Sequence, residues 1–268
     1  MNAARCVAVA VFRESVRDRV PYNLVVFAIL LIASSYLIGQ LTAGQDVKII
    51  KDLGLAATSI FGVFVAIFVG ISLVSKEVER RSIYPLLAKP VRRAEFIVGK
   101  YLGLLLTLLV NTTVMTVALY VILYFLARGV PEPIQRAWDA PALDPALLKA
   151  FALIYLNLAV VTAVALFFST YSSPMLSAIF TLGVYVVGQF NADLKHFDRI
   201  VDSPAAIALA KACYYVLPDF SKFDIKLAVV HGIPVSNMFV AATAGYAALY
   251  IGALLFGAIV IFSRRDFK

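Results

Sequence analysis

The sequence has little charge and few of the side chains that catalysis or metal binding requires. Only 15% of its 268 residues are Asp, Glu, Lys or Arg, and it holds two cysteines and two histidines. Neither His196 nor His231 has a second histidine or a cysteine at metal-ligand spacing, so no metal site is predicted. Paired carboxylates, a Ser/His arrangement and a metal-hydrolase pattern are all missing, which argues against an enzyme.

Long apolar runs dominate instead, with 62% hydrophobic residues and a mean hydropathy of +0.90. A helix needs about 20 mostly apolar residues to span a bilayer. Six segments are candidates, and the fifth is the least regular because it is short and contains Gly183, Gly188 and Gln189: 22–41, 53–74, 101–127, 150–169, 175–191 and 239–262. The prediction is an all-α integral membrane protein with six transmembrane helices that form one domain over residues 1–268.

The charges sort by loop in a way that supports six spans. With the amino terminus inside, the cytoplasmic segments hold 14 of the 24 basic residues but only 6 of the 16 acidic ones. Short loops rich in Lys and Arg stay in the cytoplasm. Both termini are therefore predicted to be cytoplasmic, in the inner membrane of a bacterium, and this topology explains the basic balance without nucleic acid as a partner.

Residues 1–21 carry four arginines and lead directly into the first span, a pattern that does not match a cleavable signal. Val7, Val11 and Val16 recur near helical spacing, while Arg13 and Arg17 share another face. This predicts an amphipathic elbow helix on the membrane surface, ended by Pro21. A merely charged flank of the first span is an equally weighted alternative.

Polar residues inside the predicted spans are uncharged at mid-depth. Asn111, Asn157 and Gln189 are the candidates for a substrate path, although buried amides more often join helices together. Small residues recur every four positions on the second span and on the sixth, where they predict close helix packing within a subunit or between two: Thr58, Gly62, Ala66 and Gly70, and Ala244, Ala248 and Gly252.

The external segment 192–238 is too long for a simple connector. Ser203 and Pro204 predict a helix start, and that helix should end before Pro218. A second short helix is expected over 222–231, closed by Gly232, after which Ser236 caps the last span. An external lid, a re-entrant pair and a plain interfacial segment all remain open.

The segment 75–100 is strongly basic and lies between the second and third spans. Residues 75–81 are expected to continue the second span into the cytoplasm, where Ser82 caps a new short helix that Pro90 ends. An apolar ridge flanked by both signs of charge suits a docking element. A solvated loop that only sets topology is the alternative.

This segment resembles the first cytoplasmic loop of ABC-2-type transporter permeases. The residues that match the family pattern are Glu77, Glu79, Ser82, Leu86, Leu87, Pro90, Arg93, Gly99 and Lys100. Pro85 departs from the pattern and leaves the start of the coupling helix open. Residues 214–226 are similar to a segment before the last span in the subgroup that includes the permease of nitrous-oxide-reductase maturation.

The resemblance implies a transport subunit that works as two permease chains, expected to be a homodimer, with two cytoplasmic ABC ATPase chains. This chain has no G-x-x-x-x-G-K-[ST] loop, so ATP and Mg²⁺ are expected on the ATPase and no cofactor on this chain. Glu77, Glu79, Arg80 and Arg81 are predicted to orient the ATPase, while Arg93 and Lys100 hold the loop against headgroups. Membrane lipid and an extracytoplasmic accessory protein are further expected partners. A membrane anchor for a cytoplasmic complex and a lipid-modifying enzyme are the alternatives.

Overall fold

A computed structural model describes residues 3–17, 19–40, 46–79, 93–135, 138–194 and 204–264. Every regular element in these ranges is helical. In chain order the elements are α1 (Ala3–Arg17), α2 (Arg19–Gln40), α3 (Asp46–Glu79), α4 (Arg93–Gly129), α5 (Glu132–Gln135), α6 (Ala146–Ser169), α7 (Pro174–Gln189), α8 (Asn191–Leu194), α9 (Pro204–Val216), a 3₁₀ turn (Ser221–Phe223), α10 (Lys226–Val230) and α11 (Asn237–Arg264).

Five of the described helices are long and apolar enough to cross a membrane: α2, α3, α4, α6 and α11. They correspond to five of the six predicted spans. The remaining predicted span is α7, whose 16 residues extend about 24 Å. Because a hydrocarbon core is about 30 Å thick, α7 alone falls short, and the six-span layout stays a prediction.

The helices α3 and α6 form the centre of the bundle, and α2, α4 and α11 surround them with largely exposed apolar faces. The small residues of α3 face α6. A Cβ added at Gly62 would lie 2.7 Å from Leu158 Cδ1, and one added at Gly70 would lie 3.1 Å from Ala165 Cβ. The predicted close packing of this stripe is therefore formed within the chain. By contrast, Gly252 on α11 faces open space among the described residues.

The start of α3 differs from the prediction. The helix begins at Asp46 rather than at residue 53, and it includes Lys48 and Lys51. The fully buried Lys51 donates a hydrogen bond from Nζ to the Pro141 carbonyl at 2.8 Å. Lys48 Nζ lies 2.6 Å from Asp139 Oδ2. Both lysines are tolerated in this apolar helix because Asp139 and Pro141 supply polar partners, which a charge needs when it is removed from water.

Asp139 also links this end of α3 to the loop before α11. Its Oδ2 lies 3.7 Å from His231 Nδ1. Hydrogen bonding and charge from Lys48, with a smaller contribution from His231, hold the pKa of Asp139 below its usual value. Gly232 follows with φ 69°, as a helix-closing glycine does, and a Cβ there would lie 2.7 Å from the Asp139 carbonyl oxygen.

The segment before α11 follows the sequence closely. The helix α9 begins at Pro204 and ends at Val216, and the Met238 N–H donates to Ser236 Oγ at 3.2 Å, as a cap should. The second short helix is α10, which starts at Lys226 instead of 222. The reason is Asp224, which is extended and accepts a hydrogen bond from the Lys226 N–H at 3.1 Å.

A helix is present where an elbow was predicted, but it ends at Arg17. Pro21 does not end it: this proline lies in the first turn of α2, where its missing N–H costs nothing. Val16 is exposed rather than part of the packed face. The position of α1 on a membrane surface stays a prediction.

Candidate functional site

Two regions hold the predicted functional residues, and the first is the segment between α3 and α4. The helix α3 continues without a break to Glu79, as predicted, and α4 begins at Arg93. Glu77, Glu79 and Arg93 thus lie on these helix ends. The other residues predicted for this segment lie outside the described part of the chain: Arg80, Arg81, Ser82, Leu86, Leu87 and Pro90.

Lys100 on α4 is buried. It was expected to face lipid headgroups, whereas its side chain is only 2% exposed. Its Nζ lies 4.6 Å from the centroid of the Phe96 ring, which stacks in turn on Phe262 of α11 at 6.0 Å. A cation over an aromatic face is attracted by the ring, and this attraction offsets part of the solvation that the cation loses on burial. The predicted headgroup contact of Lys100 and its role in coupling both stay predictions.

The second region is a polar cluster among α3, α6 and α7. The side chains of Gln189, of Ser59 on α3 and of Asn157 on α6 lie near the hydroxyl of Tyr185 on α7. Ser59 is 4% and Asn157 6% exposed, and the Asn157 Oδ1 has no hydrogen-bond partner among the residues that the structure describes. A buried acceptor left unpaired costs free energy, so it marks a place where a further donor would bind favourably.

This cluster lies where α7 ends. Asn157 is 11 residues after the start of α6 at Ala146, and α7 continues four residues past Tyr185, so about 10 Å of α6 extends beyond the level at which α7 stops. The chain after Val216 fills part of that space. Phe220 is 1% and Phe223 2% exposed, and their rings lie in a row with those of Tyr185 and Tyr246, at centroid separations of 5.3 to 6.5 Å.

The non-helical backbone in this region is supported by neighbouring helices. The Phe220 N–H donates to the Gly188 carbonyl at 3.0 Å, and the Asp219 N–H donates to the Tyr246 hydroxyl at 2.8 Å. The Tyr250 hydroxyl donates to the Val216 carbonyl. Irregular backbone within a membrane domain is tolerated only where protein or enclosed water satisfies its polar groups. The segment 217–223 meets that condition.

The predicted path residues divide between two places. Asn157 and Gln189 meet around Tyr185, but Asn111 lies elsewhere. Two tyrosines fix the register of α4 against α6: Tyr101 donates to the Ala159 carbonyl at 3.1 Å, and Tyr155 donates to the Leu105 carbonyl at 3.2 Å. In that register Asn111 is about 12 Å along the bundle from Asn157.

Tyr185, Ser59 and Tyr246 were not singled out from the sequence. Tyrosine and serine in an apolar helix are unremarkable on their own. The available signal was the spacing of Tyr185 and Gln189, which are four residues apart and share one helix face.

No metal-binding group of His, Cys, Asp or Glu occurs among the described residues. A comparison with curated proteins finds no match. The sequence profile of the family described as ABC-2 family transporter protein matches residues 7–195, which is more than half of the chain and runs from within α1 through α8, including the whole segment 75–100. The chain belongs to the ABC-2 family of transporter proteins.

Proposed function

We propose that this chain is the permease subunit of an ABC transporter that moves a substrate across the membrane, or extracts it from the membrane, using a separate cytoplasmic ATPase. The geometry of α3 and α4 carries this proposal. They contain 34 and 37 residues, which correspond to about 51 and 55 Å of helix. Both exceed a hydrocarbon core of about 30 Å, so part of each helix extends beyond the bilayer.

The segment 75–100 is the proposed ATPase contact, with Glu77, Glu79, Arg80 and Arg81 orienting the partner. Charge complementarity at such a contact sets orientation and partner choice. The test is co-purification in mild detergent with candidate ATPase chains, comparing the native protein with Glu79→Arg and Arg81→Glu. Lys211→Glu is the matched control, because Lys211 is exposed on α9, in the segment placed outside.

We expect both loop variants to lose the ATPase while they elute as the folded permease does, and the control to keep it. An intact complex in both loop variants would remove these charges from the contact. If the native protein binds no ATPase, a membrane anchor becomes the better description.

The proposed topology has six membrane crossings with both termini in the cytoplasm of a bacterium. In this arrangement α7 begins the fifth crossing, and the segment 217–230 completes it. The two native cysteines test it: Cys6 is predicted inside and Cys213 outside. In single-cysteine variants, a membrane-impermeant maleimide should label Cys213 in intact cells and should reach Cys6 only after lysis. The reverse pattern would invert the topology.

The cluster of Asn157, Tyr185 and Gln189 is the proposed substrate path. Interrupted helices in transporters often end at the substrate site, and α7 ends here. Gln189→Cys in a cysteine-free background should react with a small water-soluble thiol reagent, whereas Met115→Cys on α4 should not, because Met115 is 1% exposed in the core. If both positions are unreactive, the cluster joins the helices and does not line a path.

The same assembly requires a second permease subunit, and we propose a homodimer. Two differently tagged copies should co-purify, and native mass measurement should give two copies of the 29.2 kDa chain. A mass of one copy with the ATPase bound would contradict this assembly.

A further inference from the structure

The amino-terminal helix α1 has two distinct faces, and one is locked onto α4. A Cβ added at Gly99 would lie 2.7 Å from the Ala4 carbonyl oxygen, and one added at Gly103 would lie 2.6 Å from the Ala8 carbonyl oxygen. These distances require glycine, because carbon and oxygen atoms in ordinary contact lie more than 3 Å apart. Glycines four residues apart let two helices approach to backbone contact. The helix α1 is thus fixed to α4 along two turns.

The opposite face of α1 is exposed and basic. Arg5, Arg13 and Arg17 are exposed there, and Glu14 is the one exposed acidic residue among the described residues of α1. Val9 and Val16 are each 47% exposed between the arginines. A helix with interspersed arginines and apolar side chains is typical of the boundary between headgroups and acyl chains.

The chain connections of α1 bear on where this face lies. The helix ends at Arg17, and the membrane-capable part of α2 begins at Pro21. The four intervening steps cover about 14 Å even when fully extended. Gly99 and Gly103, which hold the other face, belong to the membrane-capable helix α4. Both connections keep α1 beside two membrane-capable helices.

We propose that the exposed face of α1, formed by Arg5, Arg13 and Arg17 with Val9 and Val16, binds anionic phospholipid headgroups. Each basic residue near an anionic surface favours binding by about fivefold, and the guanidinium groups match phosphate in geometry. Because α4 starts at the segment proposed to contact the ATPase, bound lipid would steady that end of α4. This consequence rests on the proposed function, and so does the cytoplasmic leaflet as the place of binding. The binding of anionic headgroups does not.

The purified permease alone, without ATPase, serves as the test. Cys6 is exposed on α1, so in the Cys213→Ser background it can carry an environment-sensitive fluorophore. Vesicles of phosphatidylcholine are compared with vesicles containing increasing phosphatidylglycerol. We expect a blue shift that saturates with phosphatidylglycerol, and native mass measurement should show at least about fivefold retention of phosphatidylglycerol over phosphatidylcholine.

Three variants separate charge from structure. Arg5→Gln/Arg13→Gln/Arg17→Gln should lose the lipid preference, and the corresponding triple Lys variant should keep most of it. Arg128→Gln/Lys211→Gln, which removes two exposed charges elsewhere, should behave as the native protein does. Equal retention of both lipids by the native protein would overturn the proposal, as would a preference that the triple Gln variant keeps. A triple Gln variant that keeps its lipids but no longer binds the ATPase would assign this face to the protein partner instead.

Discussion

Gly188 is the position at which the end of α7 is most sensitive to added volume. A Cβ there would lie 2.4 Å from the Pro218 carbonyl oxygen and 2.6 Å from Phe220 Cδ2. Ordinary contacts begin near 3.5 Å, so Gly188→Ala must displace the 218–220 backbone by about 1 Å. The displacement would also weaken the hydrogen bond from the Phe220 N–H to the Gly188 carbonyl.

The expected cost follows from three contributions. Overpacking costs about 1–3 kcal/mol, and the weakened hydrogen bond adds about 0.5–1.5 kcal/mol. Replacing glycine by alanine within a helix stabilises the folded state by up to about 1 kcal/mol, which offsets part of this cost. The net loss is about 0.5–4.5 kcal/mol, which at about 2–4 °C per kcal/mol lowers the midpoint of thermal unfolding by roughly 1–18 °C.

The assay is thermal unfolding of the purified permease in one detergent, at one heating rate, because membrane proteins often unfold irreversibly. Gly183→Ala is the matched control: it lies five residues earlier on α7 and has no neighbour within 4 Å. The control should be as stable as the native protein or slightly more so. If Gly188→Ala is as stable as Gly183→Ala, the segment 218–220 is not held against α7 as described.

Three further predictions concern single contacts. Tyr246→Phe removes the acceptor of the Asp219 N–H and should lower the free energy of unfolding by about 1–2 kcal/mol, whereas Tyr22→Phe, at a residue 67% exposed, should not; equal effects would contradict the contact. The lowered pKa of Asp139 means that its stabilisation is present above the ordinary carboxyl pKa and is lost as the pH falls through the folded value. Asp139→Asn should therefore remove part of the loss of thermal stability below about pH 4, and an unchanged acid profile would show that the Lys48 contact does not matter in solution. Gly103→Ala should weaken the packing of α1 on α4 and speed proteolysis within α1, while Gly245→Ala, which faces open space, should not; equal digestion rates would refute the close contact.

The long helices could be predicted because apolar runs of 20 residues have few alternatives in a protein this hydrophobic. Local signals also sufficed for Pro204, Gly232 and Ser236, where one residue type satisfies a specific backbone need. The segment 175–191, predicted as the fifth span, contains most of α7, and Gly188 near its end is a point of close backbone approach.

The sequence was least informative where a distant part of the chain changed the environment of a charge. Lys51 was assigned to a loop, but its partner is the Pro141 carbonyl, ninety residues away. The sequence could not show that Phe96 and the packing near Phe262 bury Lys100. The site was half predicted: unusual amides indicated Asn157 and Gln189, whereas Tyr185 became recognisable only when α3, α6 and α7 were brought together.

The continuity of α3 suggests how the two regions communicate. Ser59 in the polar cluster and Glu79 at the projecting end belong to one helix, about 30 Å apart along its axis. The glycines of α3 do not give it freedom to bend, because Gly54, Gly62 and Gly70 are packed against side chains of α4 and α6. A displacement at Glu79 should therefore reach Ser59 largely undiminished.

The end of α7 is the part of the cluster that is not held in a continuous helix, so we expect relative movement there. Spin labels at Phe64 on α3 and Val186 on α7, both substantially exposed, should change their separation when ATP binds to the assembled transporter. Labels at Phe64 and Val110 on α4 should keep their separation, because Gly54 of α3 packs against Leu119 of α4 and we expect the two helices to move as a pair. The opposite result would be a constant distance between α3 and α7 with a changing distance between α3 and α4. It would show that the movement occurs between the two helices that flank the segment 75–100 and not at the polar cluster.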